Sequence, residues 1–354
     1  MSITFLSATD VKQCITMGDA IDAMEHAFLQ LANQQVIMPL RTTVAIKNER
    51  ATTHIMPAFF EQERQLGMKV VSLFPNNIEH NLPAINGIIL LLDATTGEPK
   101  ALMDASYLTA LRTGAVSGLA TRILAREDAS HVAIIGSGVQ ALTQLDAVAH
   151  VRPIQRVSVW SRSHEHALAF ASQIQHRFDT QVCPDIHQAT CDADIICTAT
   201  NSTKPLIHLK DIKKDAHINA IGSHARTMHE IAPEIFKHAT TIVDQHEAAI
   251  AEAGEIIAAI EAGLLDAASV LELGSLLKTK ESKLKQQLTV FKSVGLAIQD
   301  ISIAEKVYRN ELKCQLGQRD YQGTALRPTI VDNLMIRRIR SSHICLLNKL
   351  DGKL

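Results

Sequence analysis

The chain has 354 residues, of which 46% are apolar and 20% charged, and its net charge is −2. Such a length exceeds one ordinary core, the composition is globular, and the charge excludes the strongly basic nucleic-acid-binding class. Six scattered cysteines (Cys14, Cys183, Cys191, Cys197, Cys314, Cys345) offer neither a C-x-x-C pair nor metal-ligand spacing. With no signal-peptide pattern and no apolar run of about 18 residues, a soluble cytoplasmic protein with reduced thiols, no metal and no membrane span is expected.

In chain order, Asp19 is expected to cap a helix whose apolar face is Ile21, Met24, Phe28 and Leu31. Strand-like runs follow at Thr42–Ile46, Met68–Phe74 and Ile88–Leu92, the last two separated by the turn-rich PNNIEHNLPA. Ser106–Leu124 reads as a long alanine-rich helix opening with Ser106. From His131 the pattern changes. HVAII (131–135) is a short buried-strand run, followed by glycines and a helical stretch, Val139–Val151. VSVW (157–160) is a second strand, and a helix from about Glu165 to Phe178 follows it. ADIICTAT, HINAIG and TIVD supply three more strands. Strands alternating with helices indicate a doubly wound parallel sheet. A helix around Ile301–Glu311 should return the chain to its first part. The expected fold is therefore α/β: a Rossmann domain at 126–299 beside a discontinuous α+β domain at 1–125 and 300–317, with 318–354 as an extra segment. After Pro328 that segment mixes apolar residues with Arg337, Arg338, Arg340 and Lys349, and is expected to pack on its own protein.

Gly136-Ser-Gly138-Val-Gln-Ala141 fits G-x-G-x-x-A between a strand and a helix. The first glycine permits the tight turn, the second lets a pyrophosphate approach the backbone, and Ala141 lets helix and strand pack closely. Phosphates would sit on the helix N-terminus, where free N–H groups and the dipole favour negative charge. The second strand ends in Ser161-Arg162-Ser163, with no acid to hold a ribose 2′-hydroxyl. An arginine between hydroxyls suits a 2′-phosphate, so NADP(H) is favoured over NAD(H).

Several segments resemble the ornithine cyclodeaminase/μ-crystallin family: PLR (39–41), GMKVV (67–71), LTALRTGAVS (108–117), GSGVQA (136–141), NAIGSH (219–224) and FKSVGLAIQD (291–300). The resemblance covers roughly residues 1–316 and implies a homodimer whose N-terminal domain binds substrate and dimerises. It also implies that Arg41, Lys69 and Arg112 surround a substrate α-carboxylate, which arginine forks and a lysine point charge suit. Val294 would touch the substrate. Arg112, Thr113, Val139, Gln140, Thr200, Ile221 and Ser293 would contact the cofactor.

Two departures narrow the chemistry. Cyclodeaminases of the family carry a catalytic aspartate where this chain has His224, and a glutamate where it has His54. Ornithine cyclisation must handle a proton on each of two amines, work suited to carboxylates. The expected reaction is instead hydride transfer between nicotinamide and the α-carbon of a small imino or amino acid. That makes the chain a ketimine reductase or an alanine-dehydrogenase-type oxidoreductase. In this mechanism Arg41 and Arg112 clamp the carboxylate. Lys69, its pKa depressed by the two guanidinium groups, donates a proton to nitrogen, with His224 as the alternative acid. Ornithine cyclodeaminase and a μ-crystallin-like NADPH-dependent binding protein are the other readings. The full cation set argues against the last, because pure ligand storage does not need it.

Overall fold

The structure is a computed structural model describing residues 3–279, 282–314 and 318–320. Of the extra segment expected at 318–354, residues 321–354 lie outside the described residues. Two sheets organise the chain between Ile3 and Arg319. The first is mostly antiparallel, and its strands run in the order Ile3–Leu6, Pro99–Asp104, Ile85–Asp93, Gln65–Leu73, Ala51–Phe60 and Val36–Ile37, with Thr42–Ile46 also paired to Ala51–Phe60. Of these, Ile3–Leu6 lies parallel to its neighbour, Pro99–Asp104. The second sheet is parallel throughout. Its order is Asp179–Val182, Arg156–Trp160, His131–Ile135, Ile195–Thr198, His217–Ala220, Thr289–Lys292, Thr240–Val243 and Leu271–Glu272. The chain leaves His131–Ile135 in one direction and returns on its other side at Ile195–Thr198. The crevice above these strand ends is the switch point where doubly wound sheets bind ligands.

Local chemistry explains several element boundaries and corrects some expectations. The first long helix is Met17–Ala32, and its cap is Thr16, not Asp19. Thr16 Oγ1 accepts the Asp19 N–H at 3.1 Å while Asp19 Oδ2 accepts the Thr16 N–H at 3.3 Å, a capping box in which Asp19 is the third helical residue. The helix expected from Ser106 starts one residue earlier, Ala105–Leu124, because Asp104 caps it by accepting the Ser106 N–H. The helix expected to reach Phe178 is His164–Ile174 and is capped by Ser163. The strand Gln65–Leu73 begins before the expected Met68 and stops short of Phe74, since it pairs along its full length with Ala51–Phe60 and Ile85–Asp93.

One packing detail positions the site. The strand Gln65–Leu73 alternates, so Gln65, Gly67 and Lys69 all face inward and are buried. The helix Ala297–Cys314 crosses that face, its Ile298, Ile301, Ala304 and Val307 fully buried. It comes close because position 67 is glycine. A Cβ there would lie 2.8 Å from Ile301 Cδ1 and 2.7 Å from the Leu90 carbonyl oxygen. Gly67→Ala should therefore destabilise the fold, although alanine in an open strand position is favoured over glycine by roughly 0.5–1 kcal/mol. The expected loss is about 1–3 kcal/mol, the usual cost of overpacking, read as a lower urea midpoint with unchanged slope. An unchanged or higher midpoint would show that the helix does not depend on this glycine.

Candidate active site

The glycine-rich turn supplies one wall. Gly136 follows the strand His131–Ile135 at φ +109°, and a Cβ there would meet the Ala199 carbonyl oxygen at 2.5 Å. Gly138 is the N-cap of the helix Val139–Val151 and provides no side-chain cap. A Cβ at Gly138 would meet nothing within 4 Å, so the space above the helix's free N–H groups is open. Ala141 is fully buried. These features fit a dinucleotide pyrophosphate. Beyond the turn, the Ser137 hydroxyl donates to Ser161 at 2.9 Å. Arg162 is exposed and has no ion-pair partner among the described residues.

Two buried acids hold the neighbouring loops. Glu230 Oε1 accepts from the Thr200 N–H and hydroxyl, both at 2.7 Å, while its Oε2 accepts from Thr198, Gly222 and Ser223. Asp244 Oδ2 accepts from the Ser293 hydroxyl at 2.8 Å and from the Val294 and Gly295 N–H groups at 2.9 Å. Burial pushes the pKa of both acids up. Thr200, Ser293 and Val294, all expected site residues, are thus fixed by carboxylates that the sequence reading did not single out.

The opposite wall carries the charges. Lys69 Nζ lies 2.7 Å from Asp300 Oδ2, and Arg112 Nε lies 3.2 Å from Asp300 Oδ1. The Lys69 side chain is 2% exposed and that of Asp300 0%. Arg112 also donates to Gln299 Oε1 at 2.6 Å. Gly295, at φ +82°, presses against this guanidinium, where a Cβ would come within 2.6 Å of Nη1. Arg41 donates to the Val294 and Gly295 carbonyls at 3.0 and 2.7 Å and pairs with Glu252 at 2.9 Å. The pKa of Lys69 falls to about 8. Burial is the main cause; Arg112 and Arg41 add to it, and Asp300 opposes it. The guanidinium groups expected to lead this shift are therefore secondary. Two acids stand behind these cations, Glu252 on Arg41 and Asp300 on Lys69 and Arg112, and neither lines the cavity between the two walls.

His224 Nδ1 lies 3.0 Å from the Gly222 carbonyl oxygen, so Nδ1 carries the proton and Nε2 is left as an acceptor. The ring is exposed and lines the cavity. Desolvation, then the Lys292, Arg41 and Arg112 charges, lower its pKa. His54 bonds Thr43 at 2.9 Å, and its pKa is lowered by burial, Arg41, His224 and Lys69.

The two walls enclose a cavity of about 640 Å³, within the range for small-molecule and cofactor sites. The lining includes Arg41, Lys69, Arg112, Thr113, Gly136, Gly138, Gln140, Ser161, Arg162, Ser163, Thr200, Ile221, His224, Ser293 and Val294. Val139 is not among them; it is 77% exposed on the first turn of its helix. The sequence reading missed Met56, Val71, Leu73 and Ile85, which add apolar surface to the lining, and His166, which lines the cavity with Arg162. It also missed Asp300, although that residue closes the quoted stretch FKSVGLAIQD.

With this geometry in hand, comparisons with known proteins are informative. The sequence pattern of the ornithine cyclodeaminase/mu-crystallin family matches residues 1–315. A Delta(1)-pyrroline-2-carboxylate reductase of Bacillus cereus is 38% identical over 320 residues, covering 89% of this chain and 98% of the relative. The Thermococcus litoralis Delta(1)-pyrroline-2-carboxylate reductase, solved with NADH and L-proline, superposes with a TM-score of 0.86 at 35% identity, covering 89% of this chain and 99% of that one. An archaeal alanine dehydrogenase dimer with bound NAD superposes at 0.85 with 32% identity, covering 91% and 100%.

His54 and His224 should both titrate below 6.5, the ordinary midpoint. An NMR titration of the ring protons checks this, with His54→Gln and His224→Gln used for assignment. A midpoint above 6.5 for either ring would mean that it faces a net negative, not a net positive, environment.

Proposed function

The chain belongs to the ornithine cyclodeaminase/mu-crystallin family, and on that premise we propose that it is an NAD(P)H-dependent reductase of small cyclic α-imino acids such as Δ1-pyrroline-2-carboxylate. The observation that carries this reading is Lys69: a buried ammonium with a pKa near 8, beside Arg112, in a cavity continuous with the dinucleotide fingerprint. Its catalytic role, and the roles of the lining residues, belong to the proposal.

Arg112 and the free N–H groups of Arg41 hold the substrate carboxylate, which places the imine carbon toward the glycine-rich wall. The glycine-rich turn at Gly136 and Gly138 would hold a dinucleotide whose nicotinamide would supply the hydride that makes the C=N carbon tetrahedral. Lys69 Nζ gives its proton to the imine nitrogen, leaving a neutral amine on the lysine and a secondary amine on the product. Met56, Val71 and Leu73 take the hydrocarbon part of the ring. In the reverse direction neutral Lys69 takes the proton back. We assign to His224 Nε2, left as an acceptor by the bond from Nδ1 to the Gly222 carbonyl, the exchange of that proton with water.

Arg162 selects NADP(H) over NAD(H): it is exposed at the strand end, with Ser161, Ser163 and His166 beside it. The division into 1–125 with 300–317 and 126–299 is part of the same reading, as is a homodimer. The strands Thr42–Ile46 and Ile85–Asp93 leave Val44, Ile85 and Ile88 exposed, apolar surface that a second copy would cover. Among the described residues no helix is long and apolar enough to cross a membrane.

Purified protein given Δ1-pyrroline-2-carboxylate should consume NADPH and form proline, with kcat/KM falling as pH rises through about 8 because the donor ammonium is lost. Proline oxidation should rise through the same pH. No imine reduction, or conversion of ornithine to proline at a comparable rate, would overturn the reading. Arg162→Ala should weaken NADPH binding roughly tenfold, the scale of one charge-assisted hydrogen bond, and leave NADH nearly unchanged. Equal loss for both cofactors would remove the NADP assignment.

A further inference from the structure

Lys69 is a core-facing residue of its strand, with Met56 and Ile89 as its cross-strand neighbours. Neither offers a polar atom to orient an ammonium. The charged and titratable groups that face it come from elsewhere: Arg112 on the helix Ala105–Leu124, Arg41 in the segment before Thr42, His54 on the strand Ala51–Phe60, and Asp300 on the helix Ala297–Cys314. Of these, Asp300 alone is a carboxylate. Its two oxygens are divided, one to Lys69 and one to Arg112.

We infer that Asp300 is a positioning residue for imine reduction, fixing the Lys69 ammonium relative to the Arg112 guanidinium so that proton donor and carboxylate clamp act as one rigid unit. This rests on the reductase reading above. A purely structural ion pair is a poor account of the arrangement. Replacing buried ion pairs or triads by packed apolar groups is often neutral or stabilising, so burial of three charges gives the fold little. The geometry also does more than neutralise charge. A carboxylate bridging two cations fixes the distance between them, and a displacement of about 1 Å at a reacting group can cost a hundredfold in rate. Gly67 brings the Asp300 helix against the strand, and Gln299, adjacent in sequence, holds Arg112 from the same helix. Finally, Asp300 keeps Lys69 charged against desolvation, so the group that aims the donor also sets the pH range over which it can donate.

The test uses full-length protein, Δ1-pyrroline-2-carboxylate and NADPH, with pH profiles of kcat and KM and a thermal midpoint for each variant. In Asp300→Asn the alkaline limb should move down by about one pH unit or more, the scale of losing an adjacent opposite charge. Activity should fall at least tenfold at pH 8 and recover in part at lower pH. Asp300→Glu should keep the limb near its wild-type position, with kcat lowered about tenfold and KM changed much less. A lower thermal midpoint with an unmoved limb in Asp300→Asn would reduce Asp300 to a structural residue and overturn the inference. If Asp300→Asn does not accumulate in folded form, Asp300→Glu decides, because a wild-type kcat there would overturn it as well. Absence of imine reduction by the wild-type protein would instead defeat the reductase reading, so the two failures are distinguishable.

Discussion

Two cations, Lys69 and Arg112, are taken out of water on the inner face of a sheet, and the single carboxylate of Asp300 reaches both. Removing a charge from water costs several kcal/mol even after relaxation, so neither cation is there for stability. The helix Ala105–Leu124 brings Arg112, while the position of Lys69 follows from strand alternation, which turns Gly67 and Lys69 to the same side. The missing side chain of one admits the helix that neutralises the other. Desolvation wins the contest over Lys69, though not by much. Its ammonium ends near pH 8, still mostly protonated at neutral pH and yet able to give up its proton.

The cofactor wall is held by the same device in a different form. Glu230 and Asp244 are buried acids that spend their oxygens on backbone N–H groups and hydroxyls of the strand-end loops. Lys292 and Glu255 form a further buried pair, with Lys292 also donating to the Ser223 carbonyl. None of these loops can relax without leaving a buried charge unpaired, a loss of about 3–5 kcal/mol for a broken pair. The wall is therefore organised before a ligand arrives, which lowers the ordering cost of binding.

Much of this was legible in the sequence, for identifiable reasons. The parallel half reads clearly because its strands are short apolar runs buried on both faces, as in His131–Ile135, and because glycines punctuate it where a phosphate needs backbone. The cap expected at Asp19 and the helix start expected at Ser106 lie within three residues of the true caps, Thr16 and Asp104, and composition does not rank neighbouring polar residues. The Val139 side chain stays out of the cavity lining because a helix's first residue can point away from the space its N–H groups face. Asp300 stayed hidden because it sits amid apolar helix residues, and an acid in such a setting acquires meaning only through its tertiary partners. The histidines at 54 and 224 were read as a loss of acid from the site; the acids present, Asp300 and Glu252, stand behind its cations.

The bond between Arg112 and Gln299 joins residues 187 positions apart. On a ribosome adding about 5–20 residues per second, Arg112 emerges roughly ten to forty seconds before the helix that receives it. Throughout that interval the lysine of the strand Gln65–Leu73 and the arginine of the helix Ala105–Leu124 lack the acid they share in the finished fold. Completion waits on a helix made after the whole parallel sheet. A chain stopped anywhere before that helix thus lacks the acid its two cations share, and a working cation pair is itself a record that synthesis passed Asp300.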